Sequence, residues 1–295
     1  MTTSARAPRP TCEWQVCGVC NYDCTYCIQK KPTRVGFPSE SDVDAFLAFF
    51  PTLPGKWEVK MTGGEPFAFG AFLGRIVPGL VADTPHTVSV LTNLSASDEA
   101  LDRFAELTRG RLGVVSASLH LEHTTALAFA EKAARFRDRI DPAATFVVNS
   151  VVVPGRLDGV EAAREVLARH GLRLFPQIMK VGKGTVDYDP PDARRVLRLV
   201  GDRPSPRQAN MAPSYKGLLC HAGAKYFVLT QRGDGYACRS ARRVGQGYLG
   251  NVFAGNFALA PGPLPCSFDI CPCTVPANRG MIEGIDVPAT TEEAE

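Results

Sequence analysis

The sequence predicts an α/β chain: a partial parallel barrel of six β/α units followed by a small cysteine-rich module. Three observations lead there. From Cys12 to about Lys180, short apolar β-branched runs alternate with longer helical patterns, the signature of βα units on a parallel sheet. The alternation ends near residue 180, short of the roughly 250 residues that a closed eight-stranded barrel takes. The ten cysteines gather at two ends, Cys12, Cys17, Cys20, Cys24 and Cys27 at the front and Cys220, Cys238, Cys266, Cys271 and Cys273 at the back.

Taken in order, residues 1–11 form a loose leader with no apolar stretch of its own. Strands are expected at 12–18, 57–62, 86–92, 113–119, 144–153 and 172–178. Helices are expected near 39–50, 69–81, 97–109, 124–139 and 158–169, with starts such as Ser39 three residues before Asp42 and Ser97 before Asp98-Glu99. Together 12–181 make the partial barrel. Residues 182–217 are a connection with one short helix near 192–200 among Pro190, Pro191, Pro204, Pro206 and Pro213. The module, 218–275, opens with a β-hairpin, Tyr226–Leu229 against Tyr236–Cys238 around a Gly233-Asp234-Gly235 turn. A polar tail, 276–295, is expected to fray.

Composition excludes several roles. The chain has 295 residues, 45% hydrophobic and 21% charged, enough for one large domain or two smaller ones. No window approaches the ~18 apolar residues of a membrane span, so no membrane is expected. The net charge of +3 includes 30 acidic residues with no basic stripe, so nucleic acid is not the expected partner. Without an export signal a cytoplasmic location follows, where thiols stay reduced and ten cysteines point to metal or redox chemistry at two sites.

The strongest motif is Cys20-Asn21-Tyr22-Asp23-Cys24-Thr25-Tyr26-Cys27, a C-x3-C-x2-C loop just after the first strand. A four-iron cluster usually takes four cysteines, so three leave one iron open to another ligand. Zinc held by Cys17-x2-Cys20 and Cys24-x2-Cys27 is the alternative, but only three residues separate these pairs where zinc ribbons have ~15–20. Cys12 and Cys17 read as small buried hydrophobes.

This loop resembles the signature of the radical S-adenosylmethionine (SAM) superfamily, including the aromatic Tyr26 before its last cysteine. The second strand runs into Gly63-Gly64-Glu65-Pro66, similar to the family's GGEP motif. Its glycines let backbone approach a ligand, and the resemblance assigns the Glu65 carboxylate to the methionyl amine of SAM. Read alone, the same four residues are a strand-ending turn. The resemblance also makes Asn93, Ser116, Ser118, Asn149 and Gln177 contacts for SAM, with Lys180 a weaker candidate; internal hydrogen bonds are the other reading of each. His120 and His123 follow the fourth strand as acid–base groups or plain loop histidines.

The rear cysteines resemble the SPASM extension, or its shorter Twitch form, of the same superfamily. Cys220, Cys238, Leu249-Gly250-Asn251-Val252 and Cys266-x4-Cys271-Pro272-Cys273 carry the likeness, and the full seven-cysteine pattern is absent. Five thiols suffice for one auxiliary 4Fe–4S cluster with one to spare; a zinc knot is the alternative. Two of Cys266, Cys271 and Cys273 would join Cys220 and Cys238. Cys266 is the expected spare and a candidate hydrogen-atom donor.

The resemblance implies an enzyme with two 4Fe–4S clusters and SAM, fed by a flavodoxin- or ferredoxin-type electron donor. It would use a 5′-deoxyadenosyl radical to take hydrogen from an unactivated carbon. No separate domain precedes Cys12, which favours a natural-product small molecule, a sugar or aminocyclitol, over a ribosomally made peptide. A spare thiol favours epimerisation; loss of an electron to the rear cluster would give dehydrogenation. A module that only holds iron–sulfur or zinc is the third reading.

Overall fold

The structure is a computed structural model that describes residues 8–29, 36–182, 184–200, 214–271, 273 and 275–285. The expected alternation is present. Strands β1 (Thr11–Cys17), β2 (Glu58–Gly63), β3 (Thr87–Thr92), β4 (Leu112–Leu119), β5 (Thr145–Val152) and β6 (Leu174–Ile178) lie in sequence order, each parallel to the next. Between them run α1 (Glu40–Phe49), α2 (Val77–Asp83), α3 (Asp98–Leu107), α4 (Ala126–Arg137) and α5 (Leu157–Arg169), and α6 (Pro190–Val200) follows β6.

Local chemistry explains the helix starts. Ser39 and Asp42 close a reciprocal capping box on α1, while the Ser97 and Thr125 hydroxyls accept the third N–H of α3 and α4. The expected helix from residue 69 begins later and differently, because Phe72–Ile76 winds as a π-turn before Pro78 settles α2. The helices cover one face of the sheet. There Trp14 of β1 packs between Phe46 and Phe50, ring centroids 4.7 and 5.0 Å away, and Phe72, Phe104 and Phe136 continue the buried layer.

The sheet is larger than six strands. After two short antiparallel strands, β7 (Lys180–Val181) and β8 (Gly184–Thr185), and the strand β9 (Leu219–Cys220), the chain returns beside its own start. β10 (Tyr226–Leu229) pairs parallel with β1, and β11 (Asp234–Tyr236) and β12 (Tyr248–Asn251) extend it antiparallel to complete nine strands. β13 (Leu264–Pro265) pairs with β9. The hairpin turn falls earlier than expected. Gly233 takes the left-handed φ of +82°, Asp234 and Gly235 are already strand, and Cys238 instead caps the short helix Arg239–Arg243.

The expected fraying tail also differs through residue 285. Val275–Asn278 is helical, Met281 and Ile282 are buried, and Arg279 donates to the buried Glu58 at 2.7 Å. Apolar side chains, the Arg279–Glu58 ion pair and backbone bonds with Leu219 and His221 dock this segment. The leader through residue 7, Pro204, Pro206, Pro213 and the tail from 286 lie outside the described residues. Among the described residues no helix is long and apolar enough to cross a membrane.

Candidate functional site

The cysteine loop leaves β1 at the end of the sheet where all six parallel strands finish, and the turn after β2 straps it down. The Gly64 and Glu65 N–H groups donate to the Cys17 and Val19 carbonyls, each at 2.9 Å. The contact is so close that a Cβ on Gly64 would sit 1.8 Å from the Val19 oxygen, and one on Gly63, at φ +148°, 2.3 Å from that of Cys17. The glycines therefore serve the approach of the cysteine loop, where the sequence suggested the approach of a ligand. Gln29 closes the other end by donating to the Gly63 carbonyl at 2.7 Å.

Glu65 is buried, and its carboxylate bridges β2 to the end of β3. One oxygen accepts from the Thr92 hydroxyl (2.8 Å) and the Phe67 N–H (3.2 Å), the other from the Asn93 N–H (2.7 Å). Burial pushes its pKa up to about 7 against the opposing pull of these bonds. Pro66 is buried and begins a short 3-10 turn. Next in line, Leu94 holds a left-handed φ of +56°, a strain of about 1 kcal/mol fixed by its N–H bond to the Thr92 hydroxyl. Asn93 reaches back to the loop, its amide 3.0 Å from the Asn21 oxygen and 3.9 Å from the Cys20 sulfur.

The turn after β4 meets the same loop. His120 Nδ1 lies 2.9 Å from the Tyr26 hydroxyl and 3.5 Å from the Cys24 sulfur, and Glu122 accepts from the Thr25 N–H at 2.8 Å. Burial pushes the Cys24 thiol up to about 11, and the approach of Cys27 adds to it. Burial drives His120 down to about 4, so its imidazole is neutral. Beside Tyr26 a cavity of about 230 Å³ is lined by Leu121, Ser150, Val151, Val153 and Arg156 among others.

On the sheet face away from the helices, Asn149 of β5 donates to the Ser116 hydroxyl (2.7 Å) and accepts from Gln177 of β6 (3.2 Å). Three expected residues thus form one line across three strands. Ser118 stands opposite Asn149 in the strand register. Lys180 lies elsewhere, with Cys273, Arg239, Arg243 and Glu13 as its charged neighbours. Sequence reading missed Thr25, Glu122 and Arg156. Glu122, between two flagged histidines, carried the nearest thing to a signal.

All ten cysteines are free thiols. Four of the rear five pack on two small neighbouring cores: Cys220, Cys266 and Cys271 on Tyr215, Ala277 and Ile282, and Cys220 and Cys238 on Tyr226, Val228 and Met281. Cys273 lies beside Cys238 and Cys271, where its charge would add to the burial that pushes both thiols up. It is buried, with its sulfur 3.9 Å from the Tyr226 hydroxyl, which donates to Glu13 at 2.6 Å. Arg239 donates to the same Glu13 oxygen at 2.6 Å; burial opposes the charge, but Arg239 and Lys60 hold Glu13 down at about 2. Elsewhere burial pushes Cys220 and Cys238 up to about 11, which leaves neutral thiols until a metal claims their protons.

A parallel α/β sheet with an open three-thiol loop strapped at its strand ends defines a cysteine-loop iron–sulfur class of protein. The chain belongs to the radical SAM superfamily, whose profile matches residues 14–170. No curated protein matches. Solved structures show the fold. The chain is similar to anSMEcpe with bound AdoMet and the Kp18Cys peptide (16% identity over 83% of this chain and 78% of that one, TM-score 0.59). It is also similar to SuiB of Streptococcus suis bound to S-adenosylmethionine (14%, 83% and 64%, TM-score 0.60), and to SuiB bound to the precursor peptide SuiA (14%, 85% and 64%, TM-score 0.59).

The donor sets suit the family's cofactors. Three thiols on one short loop, free of disulfides and backed by a glycine strap, fit a 4Fe–4S cluster, and Tyr26 of the same loop lines the neighbouring cavity.

Proposed function

We propose that this chain is a radical SAM enzyme in which Cys20, Cys24 and Cys27 hold the SAM-binding 4Fe–4S cluster. The observation that carries the reading is the Gly63-Gly64-Glu65 strap, which pins the cysteine loop through backbone bonds and places a buried carboxylate behind it. When bound, the cluster and SAM supply a 5′-deoxyadenosyl radical for removing hydrogen from an unactivated carbon. The chain's own residues bind and orient: Tyr26, Ser150, Val151 and Val153 wall the cavity for the nucleoside part of SAM, and Asn93, Ser116, Ser118, Asn149 and Gln177 offer polar contacts along the sheet face. Glu65 takes the methionyl amine; an ammonium there draws its raised pKa back down.

A second 4Fe–4S cluster is proposed on Cys220, Cys238 and two of Cys266, Cys271 and Cys273, whose thiols, beyond the effect of burial, lie near enough to push one another's pKa up. Cys266 stays the proposed spare. A hydrogen-donating spare thiol makes an epimerase; a silent one leaves dehydrogenation. A hydroxyl-rich small molecule of sugar or aminocyclitol type is the first reading of the substrate. A peptide is the second reading, favoured by the peptides held in the similar anSMEcpe and SuiB structures. The test is anaerobic reconstitution with iron and sulfide, then dithionite and SAM. 5′-Deoxyadenosine is expected, and deuterium carried into it from labelled sugars, aminocyclitols or peptides identifies the substrate class. No 5′-deoxyadenosine from fully loaded protein would sink the reading.

A further inference from the structure

Four consecutive residues, His120-Leu121-Glu122-His123, clamp the stretch of chain between the front cysteines. His120 Nδ1 faces both the Tyr26 hydroxyl and the Cys24 sulfur, at 2.9 and 3.5 Å. Glu122 takes the Thr25 N–H and hydroxyl and is itself held by Arg156 at 2.6 Å. The His123 ring stacks on Tyr22 with centroids 4.3 Å apart and planes 10° off parallel. Each contact lands between Tyr22 and Tyr26, so the turn fixes the orientation of the loop that carries the thiols. Glu122 and His123 brace the backbone and one ring. Of the three, His120 also reaches a sulfur.

A cysteine sulfur bound to iron has given up its proton and can only accept hydrogen bonds. The imidazole nitrogen facing Cys24 is Nδ1, and in the Nδ1–H tautomer it donates to that sulfur with the Tyr26 oxygen as second acceptor. A donor aimed at a cluster sulfur favours the more electron-rich reduced state, and such bonds are among the factors that set cluster potentials. We propose that His120 is a positioning residue for the front cluster, donating from Nδ1 to the iron-bound Cys24 sulfur and raising the reduction potential of that cluster. The proposal rests on the assignment of Cys20, Cys24 and Cys27 above.

The experiment compares wild type, His120→Phe, His120→Asn and the Cys20/Cys24/Cys27 triple alanine variant, each loaded anaerobically. Iron is counted, and the midpoint potential of the front cluster is followed by electron paramagnetic resonance after subtracting the signal that the triple variant retains. His120→Phe keeps the ring volume without the nitrogen and is expected to lower the potential by about 59 mV, a tenfold shift of a one-electron equilibrium. His120→Asn, whose amide takes the place of Nδ1, is expected to recover most of it. Equal potentials in wild type and His120→Phe at equal iron overturn the proposal. Should His120→Phe bind no front-cluster iron, recovery of that iron in His120→Asn supports the role, and its absence from both variants overturns it. If wild type and triple variant carry the same iron and the same signal, the cysteine assignment fails first and the proposal falls with it.

Discussion

The two cysteine groups are built in opposite ways. At the front, three thiols lie within eight residues of sequence, half-buried or exposed, on a loop held mainly by backbone bonds and the turn after β4. At the rear, thiols from β9, a helix cap and the stretch after β13 meet around a small apolar core, beside a buried ion pair. The front depends on steric tolerance at two glycines. The rear depends on distant segments arriving together, so its integrity is tied to tertiary packing.

The sharpest way to break the comparison is to remove one group. Cys20, Cys24 and Cys27 all changed to Ala should abolish SAM cleavage completely and lose about four irons, while the rear retains an iron–sulfur absorption band and about four irons. Iron analysis and the visible spectrum check this, and a triple variant devoid of iron counts against two independent sites. Next in size, Glu13→Ala should destabilise the protein by about 3 kcal/mol, the low end for a broken buried pair because Arg239 keeps 31% of its side chain exposed. Denaturant unfolding measures it.

Gly64→Ala tests the front by the same measurement. Its new Cβ meets the Val19 carbonyl, so the strap must lift, at about 2 kcal/mol and with loss of front-cluster iron while the rear iron stays. Retention of both sets of iron would show that the strap is dispensable.

A control lies far from both groups. Buried His86 accepts from the Trp57 N–H at Nδ1 (3.2 Å) and faces the Phe50 carbonyl through Nε2 (2.9 Å), an arrangement only the neutral ring can keep. Burial lowers its pKa from the usual 6.5, the Phe50 bond opposes this and Arg111 adds to it. The unfolded chain therefore binds the proton more readily. Stability from this group is present above about pH 6.5 and is lost as pH falls toward and through the depressed value. His86→Gln should flatten that part of the stability profile, measured by unfolding between about pH 7 and 5.

The same contrast explains what the sequence disclosed. Strands β1 to β6 were legible from local pattern, β5 as the apolar run Phe146-Val147-Val148 and β2 as Val59 and Met61 alternating with Lys60 and Thr62; the capped starts at Ser39 and Ser97 were equally local. The front thiols were legible for the same reason. The partner of the glycines was not, since nothing in Gly63-Gly64 says whether ligand or chain fills the space. Nor was the His120 clamp, whose contacts span more than ninety residues. The hairpin was recognised as a hairpin, yet its place beside β1 depends on register across the whole chain, as does the docking of Arg279 on Glu58.

That placement bears on how the chain is made. β1 is an interior strand, but its neighbour β10 leaves the ribosome more than two hundred residues later. Until then the nascent sheet carries β1 as an unpaired edge, open to mispairing with other chains. The front thiols follow directly on that edge. A chain stopped before Tyr226 keeps the whole front motif while lacking the strand that shields its first support.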